Sequence, residues 1–183
     1  MKKFIATGVI LCIVILGVYY IFRPTITPVP TPTAKETSMK LTSPAFENYK
    51  KIPALYTCDG KKMHPPVAIS GVPSATKSLA LIVDDPDAPG GTFTHWVIWN
   101  INPSTEEIAE GSVPEKSQEG TTSAGSIGFT PPCPPSSTHR YFFTLYALDA
   151  KLGLDGKATK MDVENAIAGH VMVQSLLVGV YSR

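Results

Sequence analysis

The apolar and polar positions of this chain fall into three successive patterns. The first is unbroken: residues 4–22, FIATGVILCIVILGVYYIF, carry no charged side chain. At helical rise this stretch reaches about 28 Å, close to the hydrocarbon thickness of a bilayer, and predicts a transmembrane helix within residues 1–23. It ends in Tyr19-Tyr20-Ile21-Phe22-Arg23-Pro24 instead of the small residues that precede a signal-peptide cleavage site, so a retained anchor is expected. The second pattern, residues 24–37, alternates Pro with Thr and Val, which disfavours helix and packed core and predicts an extended linker. The third begins at Ser38 and runs to Arg183, with short apolar runs separated by Pro, Gly and Asp, the signature of a mainly β domain. Within it, Ser78–Val83 and Thr94–Ile101 predict two strands that pair across the turn DDPDAPGG, and Arg140–Leu148 a third. Thr159 predicts the amino cap of a helix whose Val163, Ile167 and Val171 recur at helical spacing, and the final LLVGVY segment predicts the strand that closes the sheet.

Charge refines this division. Residues 1–37 hold four of the 16 Lys and Arg but one of the 15 Asp and Glu, so the remainder carries 12 basic against 14 acidic side chains, a net charge of −2. Without a Lys/Arg cluster, that remainder lacks the footprint needed to neutralise several phosphates, and nucleic acid is discounted as a partner. Lys2 and Lys3 before the span favour a cytoplasmic amino terminus, which places the domain on the extracytoplasmic side of a single-pass protein.

The side chains suited to site chemistry concentrate in three loops, each beside an apolar run. Asp84-Asp85-Pro86-Asp87-Ala88-Pro89 holds carboxylates on a turn stiffened by two prolines. His95-Trp96 opens the second predicted strand. Gly125–Tyr141, GSIGFTPPCPPSSTHRY, leads a proline-rich loop into His139, Arg140 and Tyr141. Imidazole, phenol and backbone amide donors converging on one point can hold phosphate or carboxylate. Taken singly, each element also suits a structural role: carboxylates capping a turn, a core histidine, an exposed polar pair.

The string LALIVDDPDAPGGTFTHWVIWNI resembles the signature block of the phosphatidylethanolamine-binding protein family. YTCDGKKMHPP, GFTPPCPPSSTHRYFFTLYALD and the terminal GHVMVQSLLVGVYSR resemble further segments of its prokaryotic, Raf-kinase-inhibitor-like members. The similarity spans roughly Leu41 to Arg183. The resemblance implies antiparallel β-sheets in Greek-key arrangement with a few peripheral helices, and a pocket for phosphate-like anions. Its ligand-binding residues carry over to Asp85, His95, His139 and Tyr141, with the backbone from Cys133 to Pro135. Asp87 is expected to organise the loop, and Trp96 to line either the pocket wall or the adjacent core. Phe129, Thr130 and Pro131 stand where relatives have Tyr and two glycines, and His64 stands where they have Ser, reaching toward the pocket mouth or lying exposed in its loop. Cys58 and Cys133 are the cysteines outside the span, and an outward-facing domain permits a disulfide between them.

The function expected is a binding module without cofactor or metal. It takes a small phosphate- or carboxylate-bearing ligand such as a lipid head group, or inhibits a kinase or protease as relatives do; the tether favours head groups or an envelope protein. Anion affinity is expected to rise as pH falls from about 8 to 6, where histidines charge. The alternative is a metal-assisted hydrolase using His95, His139 and Asp85 with Cys133 or His64, all suitable zinc-ligand types. No HExxH, paired CxxC or G-x-S-x-G motif accompanies them.

Overall fold

The computed structural model describes residues 39–183. The expected membrane anchor (1–23) and linker (24–37) lie outside the described residues. Among the described residues the protein is mainly β: nine strands, one α-helix and a single 3-10 turn at Ala54–Tyr56. The strands are β1 (Lys40–Thr42), β2 (Lys50–Lys51), β3 (Val67–Ser70), β4 (Ser78–Asp85), β5 (Phe93–Ile101), β6 (Glu107–Ile108), β7 (Gln118–Glu119), β8 (His139–Leu148) and β9 (Val171–Tyr181), with helix α1 (Lys160–Ile167) between the last two.

Two sheets form, β1-β3-β6 and β2-β9-β8-β4-β5-β7. All pairs are antiparallel except β2 with β9. In the larger sheet β4, β5 and β7 lie side by side, although β6, between the last two in the chain, belongs to the other sheet, and β8 returns to lie beside β4. β4 explains why its sequence is an unbroken apolar run instead of an alternation. Leu79, Leu81 and Val83 face one core, with Phe143, Leu145 and Tyr141 of β8, while Ala80 and Ile82 face a second core closed by Val163 and Ile167 of α1. A strand covered on both faces needs apolar residues at every position.

Helix α1 starts where its cap predicts. The Thr159 hydroxyl accepts from the Asp162 backbone N–H, and the Asp162 carboxylate reaches back to the Thr159 N–H, a reciprocal capping box. The helix is shorter than its apolar spacing implied: it ends at Ile167, Gly169 follows at φ +82°, and Val171 is the exposed first residue of β9. A left-handed glycine ends a helix irrespective of the spacing beyond it. β9 is not the sheet edge throughout, since β2 pairs with it at Gly179 and Val180. In place of several peripheral helices, the described residues hold this one.

Candidate anion-binding pocket

Because β4 runs antiparallel to both β5 and β8, its carboxyl end meets their amino ends, and the three loops with candidate chemistry share one end of the sheet. Successive side chains of a strand point to opposite faces. Asp84 therefore faces α1, where it accepts from Lys160 Nζ at 2.6 Å and Thr94 Oγ1 at 2.9 Å, while Asp85 faces the other way, toward His139. His95 would point away from Trp96 in a regular strand. The register instead shifts between Val83 and Asp84: Val83 pairs with Trp96 and Asp84 with Thr94, so His95 is the extra residue of a bulge. A bulge re-aims a side chain, and the His95 ring lies edge-on to Tyr141, centroids 5.2 Å apart, on the Asp85 side of the sheet.

There Asp85, His95 and His139 form the buried polar floor of a cavity of about 190 Å³. Phe93, Ala88 and Pro89 make one wall; Thr130, Pro131 and the run Cys133-Pro134-Pro135 make the other. Larger concavities, about 410 Å³ between β1 and β9 and about 520 Å³ beside Ile69–Val72, contain no buried titratable group. Each floor group is oriented by a second contact. The His139 Nδ1–H donates to Asp85 Oδ2 at 2.7 Å, and Asp85 Oδ1 accepts from the Asp87 N–H at 2.8 Å. The His95 Nδ1–H donates to the Thr130 carbonyl at 2.7 Å, and the Thr130 N–H donates back to the His95 carbonyl at 2.7 Å. A carbonyl only accepts, so Nδ1 of His95 carries the proton and its Nε2 holds the lone pair in the neutral ring. Among the described residues neither Nε2 has a hydrogen-bond partner. Burial pushes the His95 pKa below the ordinary 6.5, opposed by the Thr130 carbonyl and the nearby Asp85 and Asp84 charges.

The loop outside the floor is braced by charge. Asp87 accepts from the Arg140 backbone N–H at 2.9 Å and from its guanidinium at 2.9 and 2.7 Å. Those side-chain hydrogen bonds hold the Asp87 carboxyl down at about 2 against the opposing effect of burial.

The sequence model of the phosphatidylethanolamine-binding protein family matches residues 42–182. The chain belongs to the phosphatidylethanolamine-binding protein family. It is 48% identical over 150 residues to the UPF0098 protein of Methanothermobacter thermautotrophicus, covering 79% of this chain and 99% of that one. Among solved structures it is similar to the phosphatidylethanolamine-binding protein homolog CT736 of Chlamydia trachomatis, at 40% identity and a TM-score of 0.78 over 80% of this chain and 99% of the other. YbcL of Escherichia coli, described as a member of the mammalian family, gives 26% identity and a TM-score of 0.75 over the same shares.

Of the residues the family resemblance singled out, Asp85, His95, Cys133, Pro135 and His139 line the cavity. Tyr141 does not. It lies buried behind His95, its hydroxyl without a protein partner among the described residues, and burial with the Asp85 and Asp87 charges pushes its pKa up. Trp96 is in the core, its Nε1 donating to Glu119 Oε1 at 2.6 Å. His64 is neither at the pocket mouth nor exposed. It is buried, stacked on Trp96 at 4.3 Å, with its ring nitrogens on the carbonyls of Pro65 and Ser112. Phe129 packs edge-on against both rings. The backbone from Cys133 to Pro135 was expected to supply amide donors, but proline has no N–H, so only Cys133 of the three can donate. Cys133 is bridged to Cys58 with Cα atoms 5.3 Å apart.

The metal-centre alternative finds no matching geometry. Cys133 is spent in the disulfide, His64 is turned into the core, and Asp85 is already engaged by His139. Among the described residues no three His, Cys, Asp or Glu side chains converge as a metal site. Phe93 is a pocket residue that sequence reasoning did not single out, while Pro89 and Thr130, named there only with their loops, also line the cavity. Phe93 follows the Gly90-Gly91 pair of the β4–β5 turn by two residues, which was the available signal. The Thr130 carbonyl has no side-chain signature at all.

Proposed function

We propose that this protein binds a small phosphate- or carboxylate-bearing anion in the pocket floored by Asp85, His95 and His139, and does so as a binding module. The observation that carries the reading is that both imidazoles have Nδ1 engaged by an acceptor, which leaves each Nε2 for a ligand in a cavity the size of a small molecule. A neutral Nε2 accepts from a ligand that brings its own proton, and a protonated one donates to a bare anion. The apolar walls keep water from competing for those hydrogen bonds. The proposal includes a tether: residues 4–22 anchor the domain on the extracytoplasmic face, a compartment in which the Cys58–Cys133 disulfide is chemically at home. Calorimetric titration of the full chain in detergent with inorganic phosphate and with phosphoethanolamine tests the pocket. The expected result is saturable binding that His95→Ala and His139→Ala each weaken roughly ten- to hundredfold, the range for a lost hydrogen bond to a charged group. Equal affinity in wild type and both variants would place the anion elsewhere and end the proposal.

A further inference from the structure

We infer that His64 is a positioning residue for the pocket and acts as a buried imidazolium, its ring fixing the two chain segments that carry His95 and Thr130. Its effect on a ligand rests on the anion pocket proposed above; its charge rests on hydrogen bonds outside that pocket.

The His64 ring is buried, with Nδ1 3.0 Å from the Pro65 carbonyl oxygen and Nε2 2.8 Å from that of Ser112. A carbonyl only accepts, and a neutral imidazole has a single N–H, so a neutral ring satisfies one contact and turns a lone pair on the other oxygen. Both hydrogen bonds exist together only when both nitrogens carry protons. The charge then lies over the face of Trp96, ring centroids 4.3 Å apart and planes 16° from parallel, where the indole quadrupole attracts it. Burial disfavours the cation, whereas the neutral ring leaves a buried carbonyl facing a lone pair. Four charged groups surround this assembly. Lys61 and Lys62 of the same segment are exposed, Glu110 in the clamped turn accepts from the Tyr56 hydroxyl at 2.7 Å, and Glu119 of β7 accepts from Trp96 Nε1 at 2.6 Å. Phe129 brings no charge.

The ring reaches the pocket through its two aromatic neighbours. Trp96 follows His95 in the chain and Phe129 precedes Thr130, and both pack on His64, Phe129 edge-on at 5.9 Å. Trp96 and Phe129 also meet each other at 6.0 Å, so three rings form one cluster behind the pocket wall. His95 and Thr130 are the residues that exchange two hydrogen bonds at 2.7 Å and thereby aim the His95 Nε2. Each arm of that exchange is thus backed by an aromatic residue resting on His64. On losing a proton the ring must release either Pro65 or Ser112, and a close-packed cluster transmits the displacement.

The test follows ring charge and pocket together by nuclear magnetic resonance and calorimetry of the full chain in detergent, from pH 5 to pH 9. The His64 ring-nitrogen signals are those missing from His64→Gln, whose amide has a donor at one end and an acceptor at the other, as the neutral ring does. Where both ring nitrogens carry protons, wild type should bind inorganic phosphate roughly three- to tenfold more tightly than His64→Gln, less than the loss expected on removing the His95 hydrogen bond itself. Where the ring is neutral, the two affinities should coincide. The titrations of His95, His139 and phosphate cancel in that ratio. The Thr130 amide signal should move in step with the His64 ring in wild type and lack that step in His64→Gln, with or without phosphate. A wild type that binds no phosphate would end the pocket reading, and the Thr130 signal alone then judges His64. An affinity ratio that ignores the ring's charge would reduce His64 to a packing residue, and a Thr130 signal without the step would remove its link to the pocket. A ring that never carries two protons down to pH 5 would overturn the charge. Each of these three results defeats the inference.

Discussion

At the scale of single residues the pocket's behaviour turns on His95. Its burial disfavours the imidazolium, so in the empty protein the charge appears only below the ordinary 6.5. A bound anion favours the same imidazolium, so binding takes up a proton and affinity rises as pH falls, by at most about tenfold per pH unit for one linked proton. The sign carries over to stability. The unfolded chain binds this proton more readily, so acid below 6.5 removes stability that His95 contributed while neutral, and an anion restores it. Sulfate is the informative ligand because its charge is constant over this range and it brings no proton. Sulfate affinity, followed from pH 8 to pH 5, should still be climbing below 6.5, where an ordinary histidine has begun to saturate, and His95→Asn should flatten that part of the curve while leaving whatever His139 contributes. A wild-type curve already level at 6.5 would mean that burial does not control this histidine. Burial, which composition does not show, thus sets the rise expected from His95 below the pH 8 to 6 window read from the sequence.

Between elements the site is built from alternation and one exception to it. Asp84 and Asp85 are neighbours on β4, yet one anchors α1 through Lys160 and the other orients His139, so the end of a single strand couples the helix to the pocket floor. The helix contribution is measurable at its cap. Thr159→Ala removes the hydroxyl that accepts from the Asp162 N–H and should lower stability by about 1 kcal/mol, with unfolding in denaturant showing a lower midpoint and an unchanged slope. An effect below a few tenths would mean that the Asp162 carboxylate alone supports the first turn. The same cap was legible in the sequence, as were β4, β5 and β8 to within two residues, because long apolar runs between turn residues leave little ambiguity. The helix end was not, since Val171 kept the apolar spacing while Gly169 had already turned the chain. The bulge at His95 was also hidden: in a strand buried on both faces, apolar residues occupy every position and no alternation remains to reveal a slip. Asp85 and His139 could be placed from their loops, but His64 could not. Its distant partners, Trp96 and the Ser112 carbonyl, come together only in the folded chain.

At the scale of the whole molecule, the disulfide joins the segment after the 3-10 turn to the far wall of the pocket. Cys58 also donates its N–H to the Pro132 carbonyl at 3.0 Å, so covalent and hydrogen bonds hold the same two segments together. The bridge spans a sequence separation of 75, and a chain-entropy estimate for a loop of that length is about 4 kcal/mol, or roughly 10–15 °C in Tm for a domain of this size. Loss of the bridge should act on the pocket as well as on stability. The wall from Pro131 to Pro135 carries no regular secondary structure; Pro132 and Pro134 are buried, and beside the disulfide the segment is hydrogen-bonded through the Thr130–His95 pair and the Cys58 N–H. A Cys58→Ser/Cys133→Ser protein studied well below its lowered Tm should therefore keep the far-ultraviolet spectrum of wild type while binding phosphate less tightly. The loss should appear mainly as faster dissociation, because a loosened wall opens the cavity without removing any floor group. Unchanged affinity in a folded double variant would show that Asp85, His95 and His139 suffice and that the proline-rich wall is a bystander. Lost affinity together with a lost spectrum would instead mark the bridge as a requirement of the fold and say nothing specific about the wall.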